Sequence, residues 1–305
     1  MITQVRPYAP TTDRDAVFHL WEATCGATWP LFPADFYAMI DPHAEQHLVA
    51  ADGGKLLGCI ALSRDGPAHG SIIALLVHPD HKGDGIESTL LEAASERFRR
   101  RGVAHLRFGG GHSYFWPGVP TDHPQVVELL EQHGWHIGGQ ISDMEGDPAT
   151  AHVPAEITAR IVRSGAHLRL ATAQDGPAIL EFEQRHFPQW LPIAVHRVGQ
   201  RDCTNILLAE LDGAIVGATF LTSAGAHGLL WRRMLGEDCA AYGALGVSAA
   251  VRGRYIGYAL AVRAAEILQA RGAKRIYLGW VFSTEWYGRL GFQVWKTYHQ
   301  MGKQY

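Results

Sequence analysis

The chain has 305 residues, 47% of them hydrophobic and 19% charged, with 27 Lys and Arg against 30 Asp and Glu for a formal net charge of −3. That balance describes a globular chain long enough for two domains, excludes intrinsic disorder over most of its length, and argues against a protein that lives mainly on nucleic acid. No run of 18 apolar residues is present, the N-terminus lacks a basic-then-apolar leader, and Cys25, Cys59, Cys203 and Cys239 form no Cys-x-x-Cys pair; membrane, disulfide-framework and zinc-knuckle classes therefore lose ground, and the expected location is the cytoplasm.

In chain order, Val5-Arg6-Pro7 reads as a short strand, and Thr12-Asp13 opens a helix through Ala16, Val17 and Leu20. Leu48–Ala51, Asp52-Gly53-Gly54 and Leu56–Leu62 read as a hairpin. A strand over Ile72–Val77 leads through a Gly-containing loop to a helix with apolar Ile86, Leu90, Ala94 and Phe98, closed at Gly102. Leu106–Phe108 is the next strand; Gly109-Gly110-Gly111-His112 follows as a loose exit, and Phe115–Pro120 as an aromatic, proline-stiffened insert. That insert either lines a substrate cleft or plugs a hydrophobic gap, the second being the expectation. Past Gly134-Trp135 the chain turns polar and small around Asp147–Ala155. The order then returns: strand Leu168–Leu170, helix start Thr172–Asp175, hairpin Ile206–Glu210 and Ile215–Leu221 around Asp212-Gly213, strand Ala244–Val247, helix through Ile256, Leu260, Ala264 and Leu268, strand Ile276–Leu278, and Gly291-Phe292.

The return is a repeat. Residues 74–109 align with 244–279 at a constant offset of 170, with 11 identities that fall on the same punctuation in both copies, among them Gly83 with Gly253 and Gly102 with Gly272. Two strands joined by one crossover helix make a parallel pair. The expected layout is residues 1–147, a linker over 148–165, and residues 166–305.

Chemistry concentrates between strand and long helix, at Val247-Ser-Ala-Ala-Val-Arg252-Gly253-Arg254-Tyr255-Ile256-Gly257. A Gly-containing turn entering a helix presents unpaired N–H groups and the positive end of the dipole, a seat for a diphosphate, although a tight turn also needs glycine for plain geometry. The loop is neither a P-loop nor a Gly-x-Gly-x-x-Gly dinucleotide turn.

Together with Trp286-Tyr287-Gly-Arg-Leu-Gly291-Phe292, this arrangement resembles the GNAT superfamily of acyl-CoA-dependent N-acyltransferases, and it does so over both halves. The resemblance implies an α+β chain of two tandem GNAT domains, each a three-layer α/β/α sandwich around a mixed, mostly antiparallel sheet whose parallel pair splays at the cofactor. It implies acetyl-CoA as co-substrate, with no metal and no covalent enzyme intermediate. The pantetheine arm would lie along Leu245, Gly246 and Val247, the diphosphate against Arg252, Gly253, Arg254, Tyr255, Ile256 and Gly257, and Tyr287 would be the acid at the leaving sulfur. The acceptor would be a primary amine, a small molecule sooner than a protein, with no nucleic-acid or membrane partner; oligomeric state is unknown. The rival reading is a non-catalytic CoA or small-ligand binding protein built from degenerate domains.

The halves differ. Asp84 and Glu87 place negative charge in the first loop, and Leu130 stands where the second half has Tyr287, so the first half reads as scaffold. In the second loop Tyr255 replaces a glycine, which requires an ordinary negative φ there. Base candidates are Glu181, Glu183, Glu237, Asp238, His186 and His227, the acids being expected mostly as solvated surface charges. His78 and His81 make a poor metal site, and Trp190, Trp231, Trp280, Trp286 and Trp295 are expected as core.

Overall fold

A computed structural model describes residues 4–110, 115–149, 154–226 and 229–305. The chain divides into two compact units: one of residues 1–143, 230–234 and 295–305, the other of residues 144–229 and 235–294.

The first unit contains β1 (Gln4–Pro7), α1 (Pro10–Cys25), α2 (Pro33–Ile40), β2 (Leu48–Asp52), β3 (Lys55–Arg64), β4 (His69–Val77), α3 (Ile86–Arg100), β5 (His105–Phe108), β6 (Val119–Pro120) and α4 (Pro124–Gln132). β7 (His136–Gly146) ends past its boundary. Its strand order is β1-β2-β3-β4-β5, antiparallel except for the β4–β5 pair. The partner on the far side of β5 comes from the other end of the chain: in β13 (Gln293–Gln304), Gly302, Lys303 and Gln304 oppose Arg107, Leu106 and His105. Tyr298 and Met301 of that strand are buried, and the Tyr298 hydroxyl donates to Asp143 Oδ2 at 2.7 Å.

The insert packs rather than opens. Phe115 and Trp116 are buried, with ring centroids 5.4 and 5.3 Å from Trp21, and Val119-Pro120 pairs with His299 and Tyr298. It is the plug of a hydrophobic gap. Gly111 and His112 lie outside the described residues.

The second unit holds α5 (Ala155–Arg163), β8 (His167–Leu170), α6 (Gly176–His186), α7 (Leu191–Gly199), β9 (Ile206–Leu211), β10 (Ala214–Thr222), the end of α8 (Arg232–Leu235), β11 (Cys239–Val247), α9 (Ile256–Ala270), β12 (Arg275–Val281) and α10 (Thr284–Gly288). Its order β8-β9-β10-β11-β12 repeats that of β1 to β5, again with one parallel pair, β11–β12. Alternation along the strands makes three layers. Ile206, Leu208, Ala218 and Phe220 pack with α6 and α7 residues, whereas Leu207, Ala209, Leu221 and Ala240 pack with α9.

The repeat also reaches the side chains that start each half. Arg6 grips Asp13 with two bonds of 2.6 and 2.8 Å, and Ala9 N–H donates to the same carboxylate. Arg169 grips Asp175 at 2.8 and 2.7 Å, and Thr172 N–H donates to it. Each pair ties the first strand of its half to the start of the next helix, and both carboxyls are held below the usual range chiefly by the arginine.

Candidate active site

Two features of β11 shape the site. The first is a bulge: Ala218 opposes Gly246 while Phe220 opposes Gly243, so β11 carries one residue more than β10 across this step. The alternation shifts with it, since Ala240 and Tyr242 face the α9 layer, as do Leu245 and Val247. Ala244 absorbs the change at φ 46° and packs on the α6 side, and Thr219 Oγ1 donates to Gly243 O at 2.9 Å. The second feature is separation. β11 and β12 pair at Cys239–Arg275, Ala240–Ile276 and Ala241–Tyr277. No further pairing of the two strands occurs among the described residues, although both continue to Val247 and Val281. A left-handed residue follows in each, Ala244 and Trp280 (φ 61°). Such backbone costs about 1–2 kcal/mol per residue and concentrates at functional sites.

Gly246 is glycine because of what lies under it: a Cβ there would stand 2.4 Å from Cε2 of Phe187, just past the end of α6. Gly253 sits at φ 80°, as its counterpart Gly83 does at 87°. Tyr255 is at φ 65°, left-handed, the same conformation that Gly85 adopts at 78° before α3. The requirement for a negative φ at Tyr255 is therefore wrong. The loop keeps the glycine geometry with a tyrosine in place, and ring contacts offset part of the strain.

Those contacts form a ladder. Tyr255 stacks on Tyr258 at 5.7 Å, Tyr258 on Trp286 at 4.3 Å, and Trp286 meets Tyr287 edge-on at 4.6 Å. Beside it opens a cleft of about 510 Å³. Val247 lines it from the end of β11, and Val251, Arg252, Gly253 and Tyr255 come from the loop. Ile256, Gly257 and Tyr258 come from the first turn of α9, whose N–H groups have no intrahelical acceptor; Trp286, Arg289 and Arg160 complete the walls. Of the residues anticipated for the cofactor, Val247, Arg252, Gly253, Tyr255, Ile256 and Gly257 thus meet in one cleft. Leu245 packs with the α9 layer instead, Gly246 covers Phe187, and Arg254 turns away to donate to Ser164 O at 3.3 Å. Trp286, expected as core, lines the cleft, while Trp231 is buried as expected. Tyr258, Arg289 and Arg160 were missed; only the Tyr255–Tyr258 spacing of three on a helix pointed to any of them.

Tyr287 ends the ladder without lining the cleft, half-buried in α10, with Tyr242 at 6.5 Å and Phe292 at 6.1 Å. Burial pushes its phenol up to about 12. Tyr242, the first β11 residue past the paired stretch, is buried, and its hydroxyl has no hydrogen-bond partner among the described residues.

The base candidates scatter. Glu181 and Glu237 are exposed, Asp238 pairs with Lys274 at 3.4 Å, His186 lies tilted against Phe182 at 5.0 Å, and His227 lies outside the described residues. Glu183 is no surface charge: it is fully buried, neither carboxyl oxygen has a hydrogen-bond partner among the described residues, and burial pushes it up to about 7.

In the first unit the matching loop carries His81 hydrogen-bonded to Asp84 at 3.1 Å and Glu87 in the first turn of α3, and Leu130 is fully buried. Among the described residues no three His, Cys, Asp or Glu gather as a metal site, and no helix is long and apolar enough to cross a membrane.

A cleft at a helix entrance, a bulged strand leaving its parallel partner and a half-buried tyrosine beside them fit an acyl-CoA N-acyltransferase fold. Residues 14–111 and 171–292 match the Acetyltransferase (GNAT) family, and the chain belongs to that family; it is a tandem-domain N-acetyltransferase. It is 25% identical to a mycothiol acetyltransferase of Saccharopolyspora erythraea over 287 residues, covering 86% of each chain. It is 27% identical to that of Amycolatopsis mediterranei over 245 residues, 76% of this chain and 74% of the other. Among solved structures it superposes with a TM-score of 0.91 and 26% identity on a fungal multi-domain GH3 β-N-acetylglucosaminidase that contains a GCN5-related glucosamine N-acetyltransferase region. That match covers 99% of this chain and 38% of the fungal one. A tandem GNAT protein from the clavulanic acid biosynthesis pathway shares the fold at a TM-score of 0.67 and 18% identity, over 99% of this chain and 98% of that one.

Proposed function

We propose that the second unit carries the active site and moves an acetyl group from acetyl-CoA to the primary amine of a small molecule, an amino sugar being the favoured class. The observation that carries this reading is the cleft at the start of α9, whose wall residue Trp286 meets Tyr287 edge-on at 4.6 Å. The names of the relatives support a small-molecule acceptor, two being mycothiol acetyltransferases, and the glucosamine N-acetyltransferase region of the fungal structure favours an amino sugar.

In this reading the diphosphate takes the N–H groups of the Arg252–Gly257 turn with Arg252 as counter-charge. The pantetheine amides extend the sheet along the β11 edge that β12 has left, by strand addition around Leu245–Val247. The neutral amine attacks the thioester carbonyl, the C–S bond breaks, and the sulfur leaves as thiolate while the amine's proton passes to solvent. Tyr287 is the acid of this step. A phenol at about 12 is roughly three orders of magnitude weaker than a thiol, so it stabilises the leaving sulfur by a hydrogen bond more than by complete proton transfer. The first unit is scaffold: its loop holds Asp84 and Glu87 where the second has Arg254 and Gly257, and Leu130 offers no hydroxyl.

The test combines calorimetric titration of acetyl-CoA with thiol release in the presence of glucosamine. One site is expected, lost in Arg252→Glu. Tyr287→Phe should bind acetyl-CoA normally while kcat falls about 100-fold. Two sites, or turnover that survives both substitutions, would place the chemistry elsewhere; binding without turnover on any amine would favour a ligand-binding role.

A further inference from the structure

One wall of the cleft lies outside both stretches that match the family. Those stretches are residues 14–111 and 171–292, whereas Arg160 belongs to α5, Ala155–Arg163. Three contacts seat this helix in the second unit. Ile157 is buried in the core shared with α9. Arg254 holds Ser164 O, immediately past the helix. The Arg160 guanidinium stands 5.0 Å from the ring centroid of Tyr255. Two of the three therefore use residues of the Arg252–Gly257 turn, the very segment read as the diphosphate seat.

Arg160 is also uncommitted. It is exposed and makes no ion pair among the described residues. Arg289, which also lines the cleft, by contrast binds Glu285 at 2.8 Å. A guanidinium held over an aromatic face loses less freedom when it captures an anion than one on a loose stem. The nucleotide end of CoA carries two separate anionic centres, the diphosphate and the ribose 3′-phosphate. A monoester of the latter kind bears about −1.5 to −2 at neutral pH. The helix entrance and Arg252 serve the first centre, and the second requires a cation of its own.

We propose that Arg160 is that cation: α5 supplies an added wall to the acyl-CoA site, and Arg160 receives the 3′-phosphate. The proposal rests on the reading of the cleft as the acyl-CoA site. Tyr255 gains a purpose beyond stacking, because it sets the height of the guanidinium above the turn.

The experiment is calorimetric titration of the full chain with CoA and with dephospho-CoA, which lacks only the 3′-phosphate, at one fixed salt concentration. Wild type should bind CoA about tenfold more tightly. Arg160→Ala should erase that difference and leave dephospho-CoA affinity unchanged. Arg163→Ala, which removes the same charge from the same helix outside the cleft, should behave as wild type. Equal weakening of both ligands by Arg160→Ala, or no effect on either, overturns the proposal. If wild type binds neither ligand, or if Arg252→Glu binds CoA normally, the reading of the cleft fails first and takes the proposal with it.

Discussion

At the scale of single residues, the most consequential departure from expectation is Glu183. Its sequence neighbourhood, Leu180-Glu181-Phe182-Glu183, gives no sign that one glutamate is exposed and the other sealed; helix phase decides it, since residue 183 follows Ile179 by four on the face turned to the sheet. A carboxyl raised by burial favours its protonated form in the folded state, so its contribution to stability is fully present below the unfolded value near 4.3 and is lost as pH rises through about 7. Wild type should therefore lose about 2 kcal/mol of stability between pH 5 and pH 8 from this residue, and Glu183→Gln should lose none of it. Chemical denaturation at the two pH values checks this, and parallel pH dependence in the two proteins would show that the carboxyl is solvated in solution. Tyr255 teaches a complementary lesson. The sequence shows a tyrosine where a glycine is usual; it does not show that backbone strain there is offset by a stack with Tyr258 and by Arg160 above the ring.

At the scale of elements, the sequence was most legible where periodicity is strong. Both hairpins, both long helices and both strand–loop–helix steps lie where apolar spacing and Gly punctuation put them, because a turn with positive φ and a helix with one buried face each leave a local signature. The β11 bulge left none. It arises from pairing with β10, and Tyr242-Gly243-Ala244-Leu245 reads as plain strand. The close fit of Gly246 on Phe187 was equally invisible, as it joins residues 59 positions apart. It predicts that Gly246→Ala costs about 1–3 kcal/mol by forcing the ring aside, and that Phe187→Leu in the same chain recovers part of the loss. Thermal unfolding of the two variants decides it; a neutral Gly246→Ala would mean that the strand shifts freely over the ring. The same shift should weaken acetyl-CoA binding, since the edge of β11 would move with it.

At the scale of the whole molecule, an offset of 170 residues reveals two similar halves but not where each one's chain ends. Trp295–Tyr305 follows the second copy in sequence and belongs to the first unit, where Gly302 pairs with Arg107 and Tyr298 bonds Asp143. No local pattern carries such information, because the pairing partner lies some 195 residues away. A chain ending at Val294 should accordingly lose hydrogen-exchange protection in β4 and β5 while β9 and β10 keep theirs; equal loss in both units, or none, would refute the assignment. The arrangement also constrains biosynthesis. Proteins emerging from the ribosome commonly fold their leading domain first, at about 5–20 residues added per second. Here the leading unit waits for its closing strand until the trailing one has been made, a delay on the order of ten to thirty seconds. Through that interval the outer edge of β5 stands unpaired beside apolar Leu106 and Phe108, a template for mispairing with neighbouring nascent chains. Yield in a fast-translating host should therefore be governed by how long that edge stays open, more than by the stability of the finished protein.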